Sequence, residues 1–251
     1  MKSIDINCDM GESFGNFKIG NDEAVFPFIT SSNIACGFHG GDPVHMEHTI
    51  GLAIKHGVQI GAHPGFPDLS GFGRRKIDLS PEDLRSIIKY QLAAISGMAK
   101  SLGTEIKYVK PHGALYNLAA DHEITARSII NAVGEINASL PIMGLAGSQF
   151  QTICEAENTP FIAEAFADRA YQANGRLLSR SQSGSVLTDP AMVAQQVLSI
   201  VVNHQVTAHD GTAVPINAQS VCVHGDNPSV VSILKAIDES LETQDIVKIS
   251  F

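Results

Sequence analysis

Aromatic side chains and positive charge are both in short supply in this sequence. It contains no tryptophan, and aromatic residues make up only 6% of its 251 residues. Proteins that bind single-stranded nucleic acid stack the bases on aromatic rings, which argues against that class. Aspartate and glutamate number 26 against 17 lysines and arginines, giving a net charge of −9. Because nucleic acids and anionic membranes attract basic surfaces, we expect neither as a partner.

Charged residues of either sign are scarce as well. They make up 17% of the chain, against about 25% in a typical soluble domain. Hydrophobic residues make up 44%, which argues against a disordered chain and predicts a large buried interior. Since α/β barrels often use about 250 residues as one unit, we expect residues 1–251 to form a single domain.

The sequence also lacks paired cysteines and long apolar runs. No C-x-x-C motif is present, and three of the four cysteines lie in apolar segments; the four are Cys8, Cys36, Cys154 and Cys222. We expect buried free thiols, as in a reducing compartment. The amino-terminal residues lack a signal-peptide core, and no apolar run reaches the ~18 residues of a membrane-spanning helix. These absences predict a cytoplasmic protein.

Several motifs of known chemistry are missing. The sequence contains no G-x-G-x-x-G, no Walker A pattern, no H-E-x-x-H and no G-x-S-x-G. A bound nucleotide would therefore need a phosphate site of another kind. The glycine-rich residues 68–75 and a helix N-terminus are the candidates.

Short apolar runs alternate with amphipathic segments along the chain. Seven such runs lie at residues 4–7, 33–36, 58–62, 106–109, 142–145, 161–165 and 220–223. They show no alternation of polar and apolar residues, which is typical of parallel strands covered on both faces. Repeated strand–helix units predict an α/β fold, either a closed barrel or an open doubly wound sheet. Residues 246–251 form either an eighth strand or an edge extension.

Proline after an N-capping residue marks four predicted helix starts, at Asp42-Pro43, Ser80-Pro81, Asp189-Pro190 and Asn227-Pro228. The clearest helix covers residues 81–102, whose apolar residues recur with the spacing of one helical face. Residues 169–187 form a long polar stretch that carries Arg176 and Arg180. Such a length inside a compact domain predicts a lid or a binding loop. Residues 206–216 predict a small hairpin.

Ionisable residues gather after the predicted strands, and ligands bind at the carboxyl ends of strands in barrels and open sheets alike. Four histidines there each have a glycine within two residues: His39, His63, His112 and His224. The nearby charged residues are Asp9, Glu12, Arg74, Arg75, Lys110, Glu164, Asp168, Arg169 and Asp226. A single histidine at a strand end is more often structural than catalytic, but four together predict a functional pocket.

The chemistry of these side chains predicts their roles. The carboxylates could act as general bases or metal ligands, and the arginines could hold anionic oxygens through forked contacts. We expect substrate or phosphate groups to bind at Glu12, His39, Arg74, Arg75, Arg169, His224 and Asp226. For Arg169, a plain salt bridge with Asp168 is the alternative.

Seven segments, in order along nearly the whole chain, resemble the LamB/YcsF family. They are DINCDMGE at residues 5–12, NIACGFHGGD at 33–42, GAHPGFPD at 61–68, GFGRR at 71–75, VKPHGALYN at 109–117, EAFADR at 164–169 and VHGD at 223–226. The resemblance implies a single-domain, seven-stranded parallel β/α barrel related to glycoside hydrolase and deacetylase barrels. It also implies ATP-dependent opening of 5-oxo-L-proline to L-glutamate, with release of ADP and phosphate. The implied partners are the 5-oxoprolinase subunits B and C.

The implied reaction sets requirements that the strand-end residues could meet. The cyclic amide is unstrained and unreactive, and phosphorylation of its oxygen by ATP would give an imidate that water attacks readily. The site then needs cations for the phosphates, a base for water and an acid for the ring nitrogen. The candidates, in that order, are Lys110 and Arg169; Asp9, Glu164 or Asp168; and His63 or His112. We expect Mg²⁺ to accompany ATP.

The same residues allow two other hypotheses. The chain could be a stand-alone metal-dependent deacetylase or amidohydrolase, with Asp9, His39 and His63 as ligands around an activated water. It could also be a non-catalytic subunit that presents substrate to its partners. The sequence does not decide where ATP binds or which subunit phosphorylates the substrate.

Overall fold

The structure, a computed structural model, describes residues 2–251. Its strands, in chain order, are β1 (Ser3–Met10), β2 (Ser31–Ala35), β3 (Gln59–His63), β4 (Tyr108–Val109), β5 (Ile142–Leu145), β6 (Phe161–Phe166), β7 (Gln205–Thr207), β8 (Ala213–Pro215), β9 (Ser220–Val223) and β10 (Val247–Lys248). Within this range, β1 to β6 and β9 pair in parallel one after another, and β9 pairs with β1 to close the ring. The predicted seven-stranded parallel barrel is confirmed, and the open sheet is wrong.

Three short strands lie outside the ring. β10 pairs with the first two residues of β1, Ser3 and Ile4. The carboxyl-terminal residues therefore supply an edge extension and not an eighth barrel strand. β7 and β8 pair antiparallel, which confirms the hairpin predicted at residues 206–216.

Helices on the outside of the barrel connect its strands. They are α1 (Asp22–Val25), α2 (Pro43–His56), α3 (Pro81–Ser101), α4 (Gly113–Asp121), α5 (Glu123–Asn137), α6 (Gln149–Ala156), α7 (Pro190–Leu198) and α8 (Val230–Thr243). The side chains of Asp42, Ser80 and Asp189 cap α2, α3 and α7, which confirms three of the predicted helix starts. The fourth is wrong, because α8 begins only at Val230, and Asn227 Oδ1 accepts a hydrogen bond from the Ser229 backbone in the turn before the helix.

An apolar core fills the space between the strands and the helices. α3 matches the helix predicted at residues 81–102 to within one residue, and its buried apolar face consists of Leu84, Ile88, Leu92, Ile95 and Ala99. A fully buried leucine or isoleucine contributes about 1.5–3 kcal/mol relative to an exposed one. This burial holds the helices against the barrel.

The inside of the barrel, in contrast, carries many polar side chains beside a small apolar group of Tyr108, Met143 and Ile162. Asp5, Asn7 and Asp9 of β1 make hydrogen bonds across the barrel interior, whereas Ile4 and Ile6 pack into the apolar core. β1 therefore alternates polar and apolar residues, and the predicted absence of alternation is wrong for this strand. The alternation arises because one face of β1 meets side chains of other strands and not a helix.

The cysteines and the helices bear on two further predictions. All four cysteines are buried and free, as predicted. In the described part of the chain, no helix combines the length and the apolar character needed to cross a lipid bilayer.

Candidate functional site

A cleft of about 670 Å³ opens at the carboxyl ends of the barrel strands. This volume falls within the ~300–1,000 Å³ that is typical of small-molecule sites. The predicted site residues that line it are Asp9, His63, Arg74, Lys110, His112, Arg169 and His224. Residues 177–181 form part of its wall, so the loop predicted to act as a lid or binding loop lies against the cleft.

Lys110 lies in the middle of a buried group that we call the lysine centre (Asn7, Asp9, Lys110, Glu164 and Cys222). Its Nζ is 2.7 Å from Glu164 Oε1 and 3.0 Å from Asp9 Oδ1. The same atom is 3.2 Å from both Asn7 Oδ1 and Cys222 Sγ. Burial alone would lower the pKa of the Lys110 ammonium, but Asp9 and the other acidic neighbours hold it well above its ordinary value. Lys110 is therefore a cation fixed between two carboxylates.

Asp9 is kept ionised within the lysine centre. Its Oδ1 accepts hydrogen bonds from Asn33 Nδ2 at 2.7 Å and from Lys110 at 3.0 Å, and its Oδ2 lies 3.4 Å from His63 Nε2. Burial would raise the pKa of Asp9, but His63 and Lys110 hold it well below its ordinary value. The Glu164 carboxylate forms hydrogen bonds through one oxygen only, since its buried Oε2 has no hydrogen-bond partner among residues 2–251.

Backbone carbonyls fix the protons of two neighbouring histidines. His63 Nδ1 lies 2.7 Å from the carbonyl oxygen of Lys110, and His112 Nε2 lies 2.8 Å from that of Phe72. A carbonyl oxygen only accepts, so each of these two nitrogens carries a hydrogen and donates it. The other nitrogens, His63 Nε2 and His112 Nδ1, face each other at 3.1 Å. In neutral rings, both of them carry lone pairs.

Glu12 and His39 complete a group that we call the histidine cluster (Glu12, His39, His63 and His112). The His39 ring stacks on His112 with centroids 3.6 Å apart, and its Nε2 lies 3.4 Å from Glu12 Oε1. Within the described residues, neither nitrogen of His39 nor Glu12 Oε1 has a hydrogen-bond partner. Burial lowers the pKa of His39 and His112 and raises that of Glu12. The cluster therefore disfavours charge on these three side chains.

Two glycines make room for the stacked rings. A Cβ atom on Gly65 would lie 2.7 Å from His39 Nδ1, and one on Gly73 would lie 2.7 Å from His112 Cδ2. Gly73 also has a φ of +62°, which favours glycine. Any larger residue at either position would displace an imidazole.

Asp168 and His224 form a hydrogen-bonded pair at the edge of the cleft. His224 Nδ1 lies 2.7 Å from Asp168 Oδ1, and Asp168 Oδ2 accepts a hydrogen bond from Asn227 Nδ2 at 3.0 Å. Burial opposes ionisation, but His224 and these hydrogen bonds hold the pKa of Asp168 below its ordinary value. The carboxylate fixes the hydrogen on His224 Nδ1 and leaves Nε2 as the free ring nitrogen. Asp168 itself has no exposed surface, so only His224 reaches the cleft.

The predicted anion-binding arginines 74 and 75 lie in different places. Arg74 lines the cleft and pairs with Asp226 at 2.5 Å. Arg75 lies outside the cleft, with a side chain that is 66% exposed and a guanidinium that binds Asp68. The Asp68 contact turns Arg75 towards a separate surface groove, which Glu12 and His39 also line, and away from the predicted site residues of the cleft.

The loop at residues 169–187 contributes two further arginines. Arg169 donates from Nε to the Ser185 carbonyl at 3.1 Å and from Nη2 to the Leu178 carbonyl at 2.6 Å, which fastens the loop. The alternative salt bridge between Arg169 and Asp168 does not form, because Asp168 is bound to His224. Arg180 lines the cleft and forms no ion pair with any residue in the range 2–251.

The predicted metal ligands Asp9, His39 and His63 do not form one set. Donor atoms that lie within 4.8 Å of one another fall into two groups, one of Glu12, His39, His63 and His112 and the other of Asp9, Cys222 and His224. Asp9 Oδ2 still lies 3.4 Å from His63 Nε2, but Asp9 does not fall in one group with His39.

Sequence reasoning missed five side chains that build the site: Asn7, Asn33, Tyr116, Cys222 and Asn227. A signal for Asn7 was present in the alternation of Asp5, Asn7 and Asp9, which places all three on one face of a strand. Asn33 pairs beside Asp9 in the neighbouring strand, a relation that only the strand register reveals.

Comparison with known proteins places the chain in a family. Residues 4–251 match the sequence profile of the LamB/YcsF family. Over 98% of each chain, the sequence is 47% identical to a protein from Limosilactobacillus fermentum that is named as the A subunit of 5-oxoprolinase. The structure of the lactam utilization protein from Thermus thermophilus matches with a TM-score of 0.93 and 41% identity, covering 99% of this chain and 100% of that one.

A more distant likeness concerns the fold alone. The catalytic domain of a peptidoglycan N-acetylglucosamine deacetylase from Eubacterium rectale matches with a TM-score of 0.53 at 11% identity, covering 100% of this chain and 88% of that one. The deacetylase-like barrel implied by the sequence resemblance agrees with this match. On the full-length profile match and the high identity to its relatives, this chain belongs to the LamB/YcsF family.

Proposed function

We propose that this chain is the A subunit of an ATP-dependent 5-oxoprolinase, which opens 5-oxo-L-proline to L-glutamate together with partner subunits B and C. The observation that carries the proposal is the cleft at the barrel mouth. There a fixed cation, two carboxylates and a histidine–aspartate pair lie beside guanidinium groups. The names of the relatives, one a component of 5-oxoprolinase and the other a lactam utilization protein, support the same chemistry.

The arginines of the cleft wall suit the phosphates of a nucleotide. Arg180 has no acidic partner there, and burial together with the nearby Arg74 lowers the pKa of Arg180. An anion bound at this wall would relieve that imbalance. ATP, when bound, supplies the phosphoryl group that activates the amide oxygen, and Mg²⁺ accompanies its phosphates.

His224 is the residue that we expect to activate water. Its Nδ1 hydrogen is fixed by Asp168, so its Nε2 can take a proton from a water molecule in the cleft. Asp168 was predicted to be the base itself, but its complete burial makes it a positioning residue for His224. The same histidine can return the proton to the ring nitrogen as the C–N bond breaks.

His63 and His112, the predicted proton donors, are less suited to that step. Each gives one ring hydrogen to a backbone carbonyl, and their remaining nitrogens face each other. Neither therefore presents a free N–H group to the cleft.

The lysine centre sets the charge at the floor of the cleft. Lys110 neutralises one of the carboxylates Asp9 and Glu164, which leaves one net negative charge. A fixed negative charge favours the positive charge that develops on the ring nitrogen as it takes up a proton. Because the Lys110 ammonium is already hydrogen-bonded, it needs little rearrangement during the reaction.

ATP hydrolysis stimulated by 5-oxoproline tests the proposal. The assay compares the purified chain alone, the two partner subunits alone and all three together. We expect stimulation and glutamate release only with all three. Turnover by the partners alone would contradict the proposal. Substrate binding to this chain, with site variants that leave turnover by the assembly unchanged, would indicate a substrate-presenting role. ATP-independent hydrolysis of an acetylated sugar would favour the deacetylase hypothesis instead.

A further inference from the structure

The histidine cluster is buried, yet several of its polar atoms face one another without hydrogen bonds. His39 is completely buried with both nitrogens unpartnered, and Glu12 Oε1 is unpartnered as well, within residues 2–251. An unpaired buried polar group costs about 1–3 kcal/mol. Three such atoms in one place therefore indicate a binding site for a ligand that would pair with them. The proposed reaction uses none of them.

Three of the distances among the four donor atoms are close to those in the coordination shell of a small metal ion. His63 Nε2 and His112 Nδ1 are 3.1 Å apart, His39 Nε2 and Glu12 Oε1 are 3.4 Å apart, and His112 Nδ1 and Glu12 Oε1 are 3.7 Å apart. Ligands at the ~2.0–2.1 Å bond lengths of a tetrahedral zinc site lie about 3.3 Å from one another. These three distances bracket this value, and all four donor atoms lie within 4.8 Å of one another.

The two backbone carbonyls orient His63 and His112 as metal ligands are usually oriented. A histidine that binds a metal commonly donates its other ring N–H to a carbonyl or carboxylate. His63 does this through Nδ1 to Lys110, and His112 does it through Nε2 to Phe72. The two remaining nitrogens face each other at 3.1 Å, so that either a proton or a metal ion between them is needed to relieve the repulsion of their lone pairs. His63 Nε2 also lies 3.4 Å from Asp9 Oδ2, whose negative charge favours a cation at this position.

We propose that Glu12, His39, His63 and His112 together bind one divalent transition-metal ion of the zinc class. Three imidazole nitrogens and one carboxylate oxygen select such an ion over Mg²⁺ and Ca²⁺, which prefer oxygen ligands. Four protein ligands fill a tetrahedral shell, so the ion is structural and leaves no open position for substrate. This inference does not depend on the proposed reaction.

Binding requires one adjustment of the site. The rings of His39 and His112 are parallel to within 3°, and parallel rings direct their lone pairs the same way. His39 must therefore tilt out of the stack to share an ion with His112. The tilt breaks no hydrogen bond, because His39 makes none with the described residues.

The position of the ion explains what it would stabilise. His63 and His112 line the cleft, whereas Glu12 and His39 line the separate groove that also contains Arg75. Glu12, His39 and His112 follow β1, β2 and β4 along the chain, and His63 is the last residue of β3. The ion would join four neighbouring strand ends into one wall between the cleft and the groove.

Metal content tests this proposal without any activity assay. The tag-free chain is loaded with Zn²⁺, passed through metal-free buffer and analysed by mass spectrometry of its metal. We expect about one tightly held Zn²⁺ per chain. His39→Ala and Glu12→Gln should each weaken zinc binding about tenfold or more. His48→Ala, which changes a histidine that is 58% exposed, is the matched control and should bind zinc as the natural chain does.

Co²⁺ loading of the natural chain gives a second readout that needs no variant. A tetrahedral site predicts the strong visible absorption of four-coordinate Co²⁺, and Zn²⁺ should abolish it. Absence of bound metal from the natural chain would overturn the proposal. The proposal would also be overturned if His39→Ala and Glu12→Gln, with folding confirmed by circular dichroism, bound zinc as tightly as the natural chain does. A proton shared between His63 and His112 would then be the occupant.

Discussion

The lysine centre and the histidine cluster lie side by side at the barrel mouth, but they are built in opposite ways. In the lysine centre, the Lys110 ammonium contacts two carboxylates, an amide oxygen and a thiol. In the histidine cluster, His39 makes no hydrogen bond with any described residue. A buried cation with a partner for each of its hydrogens is held in place, whereas a buried polar group without partners costs free energy until a ligand fills the site. Within the lysine centre, Glu164 Oε2 is the atom that lacks a partner among residues 2–251. The Lys110 ammonium therefore needs no ligand, and the histidine cluster does.

Removal of the Lys110 cation should have the largest effect, which is a loss of stability. Lys110→Met leaves Asp9 and Glu164 as neighbouring buried carboxylates with no counter-charge. Breaking a buried ion pair in this way costs about 3–5 kcal/mol, so we expect a loss of that size in the free energy of unfolding at pH 7. Urea denaturation measures it. The control is Lys107→Met, at an exposed lysine paired with Glu105, which should change the free energy of unfolding by less than about 1 kcal/mol. Equal effects of the two variants would contradict the role of Lys110 as the counter-charge of two buried carboxylates.

The Asp168–His224 pair is a second satisfied group, and its loss should appear in the rate. Asp168→Asn removes the carboxylate that fixes the hydrogen on His224 Nδ1. We expect kcat of the three-subunit assembly to fall about 10²–10³-fold with little change in KM, as for a positioned general base. Asp210→Asn, on the exposed hairpin, serves as the control and should leave kcat unaltered. A change in KM alone would show that Asp168 supports binding instead.

Two arginines extend the comparison to anion binding. Arg180 lacks an acidic partner among residues 2–251, whereas Arg75 already binds Asp68. Since a charged hydrogen bond contributes about 1.5–3 kcal/mol, Arg180→Ala should raise KM for ATP about tenfold or more. Arg75→Ala should leave it within about twofold. Steady-state kinetics of the assembly measures KM for ATP in both variants. A larger increase in Arg75→Ala than in Arg180→Ala would place the phosphate site in the groove instead.

The pH dependence of stability should differ in sign between the two regions. Folding lowers the pKa of Asp9, so the charge of Asp9 stabilises the folded protein above the usual aspartate pKa of about 3.9. This contribution is lost as the pH falls through the lower pKa of the folded state. The pKa of Glu12 is raised, so its charge destabilises the metal-free protein as the pH rises above about 4.3.

Two variants measure this difference in metal-free protein. Asp9→Asn should lower the free energy of unfolding at pH 8 by about 1–3 kcal/mol, and the difference should vanish in strong acid. Glu12→Gln should leave stability equal or slightly higher at pH 8, because it removes a buried charge. If both variants are equally destabilising in chemical denaturation, the contrast between the two regions is wrong.

Much of the fold could be predicted because its signals are local. Capping residues before proline located three helix starts, and the spacing of apolar residues gave α3 almost to its end. The gathering of Asp9, His63, Lys110 and His224 followed from topology, since parallel strands end at the same edge.

The remaining features depend on loop paths and strand register. Arg74 and Arg75 are adjacent in sequence, but only the contact with Asp68 decides that Arg75 leaves the cleft. Asn227 resembles an N-cap in sequence, but its Oδ1 binds the Ser229 backbone in a turn before the helix, and its Nδ2 donates to Asp168 from a distant part of the chain. The partners of Lys110 come from three strands, β1, β6 and β9, so their arrangement around one ammonium cannot be seen in any short segment.

Release of glutamate from 5-oxoproline by the three purified subunits, with His224→Asn in place of the natural chain, tests the assignment of the cleft most directly. We expect glutamate release to fall at least about 10²-fold, while the variant keeps its fold by circular dichroism and still joins its partners. Glutamate release at the natural rate by a folded, assembled His224→Asn variant would contradict the assignment.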